Sequence, residues 1–390
     1  MKKYTHEKAH EEIDYIFKTL LPQRGMAERP EQIRLCHSIL DAMLDGSIAL
    51  CDAGTGIGKT FAYLTAGILH GKCRAAEGKP QRPILISTSS IALQSAIQKE
   101  YLPLLSSVLL SEGLISAPVE AIIRKGKAHY ACDARLERRV RQVEGSHKNP
   151  AARQALHTAW HVLDLDQLSG MSSYDRERIC VPKRCNCRRK DCRYRCFLDA
   201  CQSGQYTVQI CNHNLLLADL IHRSQKKKSI LPDSAAIIID EAHKLPDAAR
   251  QMYTETLSSR AMDELCLLLQ QAHYKDFARQ LRTAFLTLSF SCTQGFSKLR
   301  RKVSEPFVLT PFRRAALIDC IALLQNAGGL PDVPRYLLNR LGEAESLLRL
   351  FLLQVPTRIL YIDYDADGQP TFCAASSRVP QLLRSALWNT

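Results

Sequence analysis

Apolar residues at Ile33, Leu35, Ile39, Leu40 and Met43 recur at helical spacing and stop at Gly46, which predicts a helix closed by a glycine. The apolar run at 48–51 reads as a short strand, the glycine-rich stretch 52–58 as a turn, and Lys59-Thr60 as the opening of another helix. Residues 83–88 form a second buried-type strand, followed by a helix at 91–100. Strand, helix, strand, helix is the order of a parallel sheet with crossover helices, so the predicted fold class is α/β. Sheet character returns at 206–211 and at 235–239. Between these blocks, 120–205 is rich in Arg, Lys and Cys with little β-type alternation, and reads as an inserted module. Residues 247–355 are helical in pattern, notably 262–271, 315–324 and 336–353, and read as a second insertion. Strand-like runs at 358–362 and 371–374 flank Asp365-Ala366-Asp367-Gly368, a hairpin signal.

Composition narrows the class. The chain has 390 residues, 46% hydrophobic and 24% charged, which excludes disorder, collagen and coiled coil as descriptions of the whole. No apolar run of about 18 residues occurs and the N-terminal residues are polar, so the expectation is a cytoplasmic protein with no membrane partner. A net charge of +14 asks for an acidic partner. Fifteen cysteines without an export signal point to metal or buried thiols, not disulfides, and six of them lie between Cys180 and Cys201.

Two motifs carry phosphate chemistry. Ala53-Gly54-Thr55-Gly56-Ile57-Gly58-Lys59-Thr60 is a phosphate loop with Ala53 in place of its usual first glycine. Its glycines free the backbone to aim N–H groups at phosphate oxygens, and the helix that follows adds a favourable dipole. Lys59 would meet the β and γ phosphates of ATP, and Thr60 would ligate Mg2+. Asp240 follows the strand at 235–239, where it would hold the magnesium, while Glu241 would orient and deprotonate the attacking water. His243 is placed to sense the nucleotide.

Cys187-x4-Cys192-x3-Cys196 has the spacing of a metal-binding ladder, with Cys180, Cys185 and Cys201 as further candidates. Sulfur-only ligation fits a zinc site and an iron-sulfur cluster alike. Arg176, Arg178, Lys183, Arg184, Arg188, Arg189, Lys190, Arg193 and Arg195 surround it, a charge suited to a nucleic-acid backbone.

Together these residues resemble the first motor domain of the XPD-like iron-sulfur helicases of superfamily 2, and most of all the bacterial DinG-type branch. Arg29-Pro30-Glu31-Gln32 is similar to the family's R-P-x-Q element, which puts Gln32 near the adenine. Residues 52–63 resemble motif I, Ser87-Thr88 with Leu93-Gln94 resembles the DNA-contacting motif Ia, Asn212 to Leu216 resembles N-H-x-L-L, and Asp240 to His243 resembles the D-E-A-H box. Lys125 to Cys132 resembles K-G-x-x-x-Y-x-C, so the resemblance implies Cys132, Cys187, Cys192 and Cys196 as ligands of a [4Fe-4S] cluster.

The fold it implies is a RecA-like helicase domain from 1–119, 206–246 and 356–390, with a cluster domain at 120–205 and a helical arch at 247–355. The activity it implies is ATP-dependent, 5′ to 3′ movement on single-stranded or forked DNA, in repair or replication, near the bacterial nucleoid. Residues 372–376 and 382–388 resemble the stretch before motif III, and the resemblance ends there, without the second motor domain. The expectation is therefore that this chain alone hydrolyses ATP poorly and does not unwind DNA. The alternative reading is a non-enzymatic iron-sulfur or zinc fragment that binds nucleic acid.

Overall fold

Ile84-Leu85-Ile86-Ser87 is apolar on both faces, as a strand covered by helices on each side must be, and it forms β1 (Ile84–Ser87), buried along its whole length. It lies inside a four-stranded parallel sheet of order β2-β3-β1-β4, with β2 (Ala121–Ile123), β3 (Val208–Cys211) and β4 (Ala236–Ile239). The register aligns Ser87 with Cys211 on one side and with Ile239 on the other. The segments leaving the carboxyl ends of these three strands therefore begin side by side, where open α/β sheets bind ligands. The computed structural model describes residues 4–144, 150–182, 185, 187, 189–293, 304–365 and 367–387. It divides into two units, Met1–Lys244 and Leu245–Thr390.

In the first unit the Pro30–Asp45 helix starts with proline at its first turn and ends at Gly46, whose φ of 64° is the left-handed cap that glycine adopts at least cost. The Lys59–Ala76 helix buries Ala62, Tyr63, Leu64, Ala66, Leu69 and Cys73 in the same core as Ile13, Phe17, Leu40, Ile86 and Ile210. Two helices widen to π geometry just before a proline, at Ile16–Leu20 before Pro22 and at Ile97–Tyr101 before Pro103. The prolines lack an N–H, and the neighbouring amides of Leu21 and Leu102 reach five residues back, to Ile16 and Ile97.

The strand expected at 48–51 does not form. Those residues join no ladder, and Ile48 and Leu50 are 61% and 89% exposed. Four apolar residues encode an extended backbone, but a strand also needs a neighbour whose N–H and C=O groups are unclaimed. β4 is left as an edge strand with Ile237 43% exposed.

The cysteine-rich segment is helical. Its described helices, Asp133–Glu144, Pro150–Thr158, Ser173–Ile179 and Arg193–Gln202, close on a core that includes Leu136, Leu156, Leu165 and Ile179. A smaller cluster joins Tyr130, Cys132 and Val181 to Tyr194 and Phe197. Lys183, Arg184 and Arg188 lie outside the described residues.

The second unit packs helices Ser259–Gln271, Lys275–Thr293, Pro311–Asn326 and Arg335–Leu353 around Phe285, Phe307, Phe351 and Phe372. The predicted hairpin is present: β7 (Arg358–Tyr364) and β8 (Pro370–Ser376) pair antiparallel around Gly368, whose φ is 76°. Its location departs from expectation. Instead of joining the parallel sheet of the first unit, it forms an antiparallel sheet of order β5-β8-β7-β6 with β5 (Thr254–Ser258) and β6 (Glu305–Pro306). Alternation shows that two strands pair with each other, and carries no information about which sheet receives them.

Candidate nucleotide and cysteine sites

The phosphate loop is shaped by glycine. Gly56 and Gly58 have φ of 83° and 91°, in the left-handed region that side chains resist. At Gly58 a Cβ would come 2.2 Å from Gln32 Nε2, so only glycine lets Gln32 close on the loop. Ala53 is not among the positive-φ residues, so the missing glycine there leaves no strain. Gln32 Nε2 donates to the Gly58 carbonyl at 2.7 Å, and Arg29 Nη1 donates to the Gly56 carbonyl. Lys59 Nζ folds back to donate to the Ala53 carbonyl at 3.0 Å. Gly54, Thr55 and Gly56 are exposed, and Ile57 and Thr60 are half-buried.

Across from the loop, β4 delivers the acidic pair. The Asp240 N–H donates to the Ser87 carbonyl at 2.8 Å, which ties the acidic turn to β1. Burial pushes the Asp240 carboxyl up, with the Glu241 carboxylate adding to the push and Lys59 opposing it. Glu241 has φ of 55°, a left-handed conformation for a residue with a side chain. Its carboxylate lies 4.0 Å from Lys59 Nζ and 3.5 Å from His243 Nε2. The structure thus gathers Gln32, Ala53, Gly58, Lys59, Asp240, Glu241 and His243.

Three residues went unassigned in the sequence reading. Arg29 closes on the loop itself. Tyr63 is buried with its hydroxyl unpartnered, and burial followed by the Asp240 carboxylate pushes its phenol up. The His213 ring accepts or donates at 2.7 Å to Ser87 Oγ in the interior. Only the helical offset of Tyr63 from Lys59 carried a signal, because the other two contacts depend on tertiary approach.

In the cysteine module, Cys132 is 4% exposed and burial raises its thiol, with Cys185 and Cys187 near enough to add to the shift. Cys192 is buried and raised in the same way, with Cys187 beside it. Cys196, one helical turn after Cys192, is exposed. Among the described residues no group of three or more His, Cys, Asp or Glu side chains is arranged to hold a metal ion. Cys180 and Cys201 are occupied elsewhere: the Cys180 thiol donates to the Glu177 carbonyl at 3.3 Å, and burial raises the Cys201 thiol beside Arg124. Cys185 and Cys187 both act electrostatically on Cys132, and Cys187 acts on Cys192, so these four thiols share one region of the module.

Part of the basic charge is spent within the module. Arg193 Nε meets Asp133 at 2.7 Å, Arg189 spans Glu137 and Asp191, and Arg176 meets Asp166. Among the described residues, no helix is long and apolar enough to cross a membrane.

No family model matches the chain. It is 27% identical over 277 residues to the ATP-dependent DNA helicase YoaA of Haemophilus influenzae, covering 68% of this chain and 41% of that protein. The Escherichia coli protein of the same name is 28% identical over 250 residues, with 62% and 37% covered. The 3′-5′ exonuclease DinG of Bacillus subtilis is 30% identical over 246 residues, with 61% and 24% covered. The matches thus span about two fifths of the YoaA proteins' length and a quarter of that DinG. Among solved structures, S. tokodaii Xpd4 matches with a TM-score of 0.40 and 15% identity over 92% of this chain and 55% of that chain, too loosely to bear on the fold. The sequence relatives are thus proteins named YoaA and DinG, and both YoaA proteins carry the name ATP-dependent DNA helicase.

Proposed function

We propose that the chain carries the nucleotide-binding half of an ATP-dependent DNA helicase motor. The observation that carries this reading is Lys59 on the phosphate loop facing Glu241 at 4.0 Å across the carboxyl end of the sheet. In this reading the Lys59 ammonium exchanges the Ala53 carbonyl for the β and γ phosphates, which the N–H groups of residues 54–60 surround. Thr60 and Asp240 would hold Mg2+, whose charge would offset the desolvation that raises Asp240. Glu241 orients the water and takes its proton, while His243, 3.5 Å away, registers the change in charge. Gln32 and Arg29 keep the loop open to ATP by holding its carbonyls.

The partner is DNA, supported by the relatives' printed names and by the net charge of +14, and its single-stranded or forked form rests on the family resemblance. Movement from 5′ to 3′, a role in repair or replication, and the domain division rest on the family resemblance. Cys132, Cys187, Cys192 and Cys196 would hold a [4Fe-4S] cluster, which when bound would cross-link the module's helices.

Single-turnover hydrolysis, with protein in excess of ATP and with or without an oligo-dT strand, tests the reading. Glu241→Gln is expected to keep Mg-ATP affinity and lose hydrolysis, and Lys59→Ala to lose binding. Hydrolysis by Glu241→Gln at the wild-type rate would sink it.

A further inference from the structure

His213 is 3% exposed and opens the His213–Ser224 helix, which Asn212 caps by accepting from the Leu215 N–H at 2.9 Å. The strand register explains where the ring goes. Cys211, Ser87 and Ile239 are aligned across β3, β1 and β4, so His213 sits just past the end of β3 while Asp240 and Glu241 sit just past the end of β4. The His213 ring reaches from there to β1, the strand between them. Its Nδ1 meets Ser87 Oγ at 2.7 Å in the interior, and its Nε2 is buried without a hydrogen-bond partner. Burial lowers the imidazole's proton affinity, while the Glu241 main chain beside the ring opposes this. A neutral ring that accepts the Ser87 hydroxyl proton at Nδ1 carries its own proton on Nε2. A buried donor without an acceptor is costly, so this group has an incentive to close on the nearest carbonyl.

The Glu241 main chain needs such support. A left-handed residue with a side chain is strained and persists where its surroundings over-determine it. The Glu241 carbonyl already accepts the Lys244 N–H at 2.9 Å and has a second lone pair available.

We propose that His213 is a positioning residue for the hydrolytic step: anchored to β1 through Ser87, its Nε2–H closes on the Glu241 main-chain carbonyl and holds the turn that aims the Glu241 carboxylate. This rests on the function proposed above. The ring touches no reacting atom. It fixes the carboxylate's direction and leaves the phosphate grip of Lys59 unchanged, so it acts on the rate and not on binding.

The test is single-turnover hydrolysis beside the Mg-ATP dissociation constant, read with a fluorescent ATP analogue on the full chain. His213→Ala should slow hydrolysis about 10- to 100-fold, as loss of an orienting partner does elsewhere, with affinity changed less than about twofold. His213→Gln, whose amide can accept from Ser87 and donate to Glu241, should recover most of the rate. Ser87→Ala should slow hydrolysis by a smaller factor, and the double variant should be no slower than His213→Ala. A wild-type rate in His213→Ala overturns the proposal. So do equal losses in the Ala and Gln variants, or affinity falling in step with rate, either of which marks a structural role. Should His213→Ala fail to fold, His213→Gln and Ser87→Ala decide the matter by the same split. Glu241→Gln separates the two readings: if it hydrolyses like wild type, the proposed function fails and takes this inference with it, whereas its inactivity beside a fully active His213→Ala sinks the inference alone.

Discussion

The phosphate loop and the cysteine module are both candidate ligand sites by sequence, yet they hold their donor groups differently. In the loop, backbone carbonyls occupy the side-chain donors: Ala53 takes Lys59, Gly58 takes Gln32 and Gly56 takes Arg29. These three donors are held against the loop, and in the proposed mechanism Lys59 exchanges its carbonyl acceptor for phosphate. In the module the thiols are held by what surrounds them. Cys132 and Cys192 are walled in by packing, Cys185 and Cys196 are exposed, and ion pairs such as Arg193 with Asp133 join the helices. The difference teaches that a site built from main chain can be assembled in advance, while one built from thiols would gain its geometry together with any metal that binds them.

The sharpest way to break that contrast is to remove a thiol. Cys132→Ser should abolish bound iron and sulfide, measured per chain, and destabilise the module while leaving Mg-ATP affinity intact. Cys196→Ser should do the same to iron; if it retains iron and Cys185→Ser loses it, the fourth ligand is Cys185. Lys59→Ala is the converse experiment and should weaken Mg-ATP binding about 100-fold or more, read by fluorescence titration, with iron content unchanged.

Smaller effects probe how firmly the loop is set. Gly58→Ala should cost about 2 kcal/mol in denaturant unfolding, because it combines a left-handed φ with a clash against Gln32. His70, buried on the helix that leaves the loop, tests the core beneath it: burial first, then Arg74, lowers its imidazole from 6.5 to about 4. The unfolded chain takes up this proton near pH 6.5 and the folded chain only near 4, so the associated stability is intact above 6.5 and is lost as pH falls toward 4, on the order of 1–3 kcal/mol. His70→Gln should flatten that part of the Tm profile against pH. The smallest change is expected from Ala53→Gly, which should alter Mg-ATP affinity less than about twofold and lower stability by less than about 1 kcal/mol through added freedom of the unfolded chain.

How much could be read beforehand follows the same division. The loop was legible because glycine at 56 and 58 is a statement about backbone angles, and the acidic pair because an apolar strand runs straight into it. The strand at 48–51 was misread because pairing depends on a neighbour that local pattern does not name. The hairpin was visible and its sheet was not, for the same reason. Among the cysteines, spacing measures distance along the chain, whereas the burial of Cys132 and Cys192 is set by a fold that no interval encodes. The N-H-x-L-L residues stood out as a motif, but the role of His213 lies in cross-strand alignment and burial.

The bond from the Asp240 N–H to the Ser87 carbonyl makes that amide a built-in timer. It closes the seam between a fully buried strand and a half-buried edge strand, so its deuterium uptake counts how often the edge comes away. Because the same residue carries the magnesium-side carboxylate in the proposed mechanism, occupancy of the nucleotide site would be recorded as a slower exchange at one main-chain position, with no dye, label or substitution.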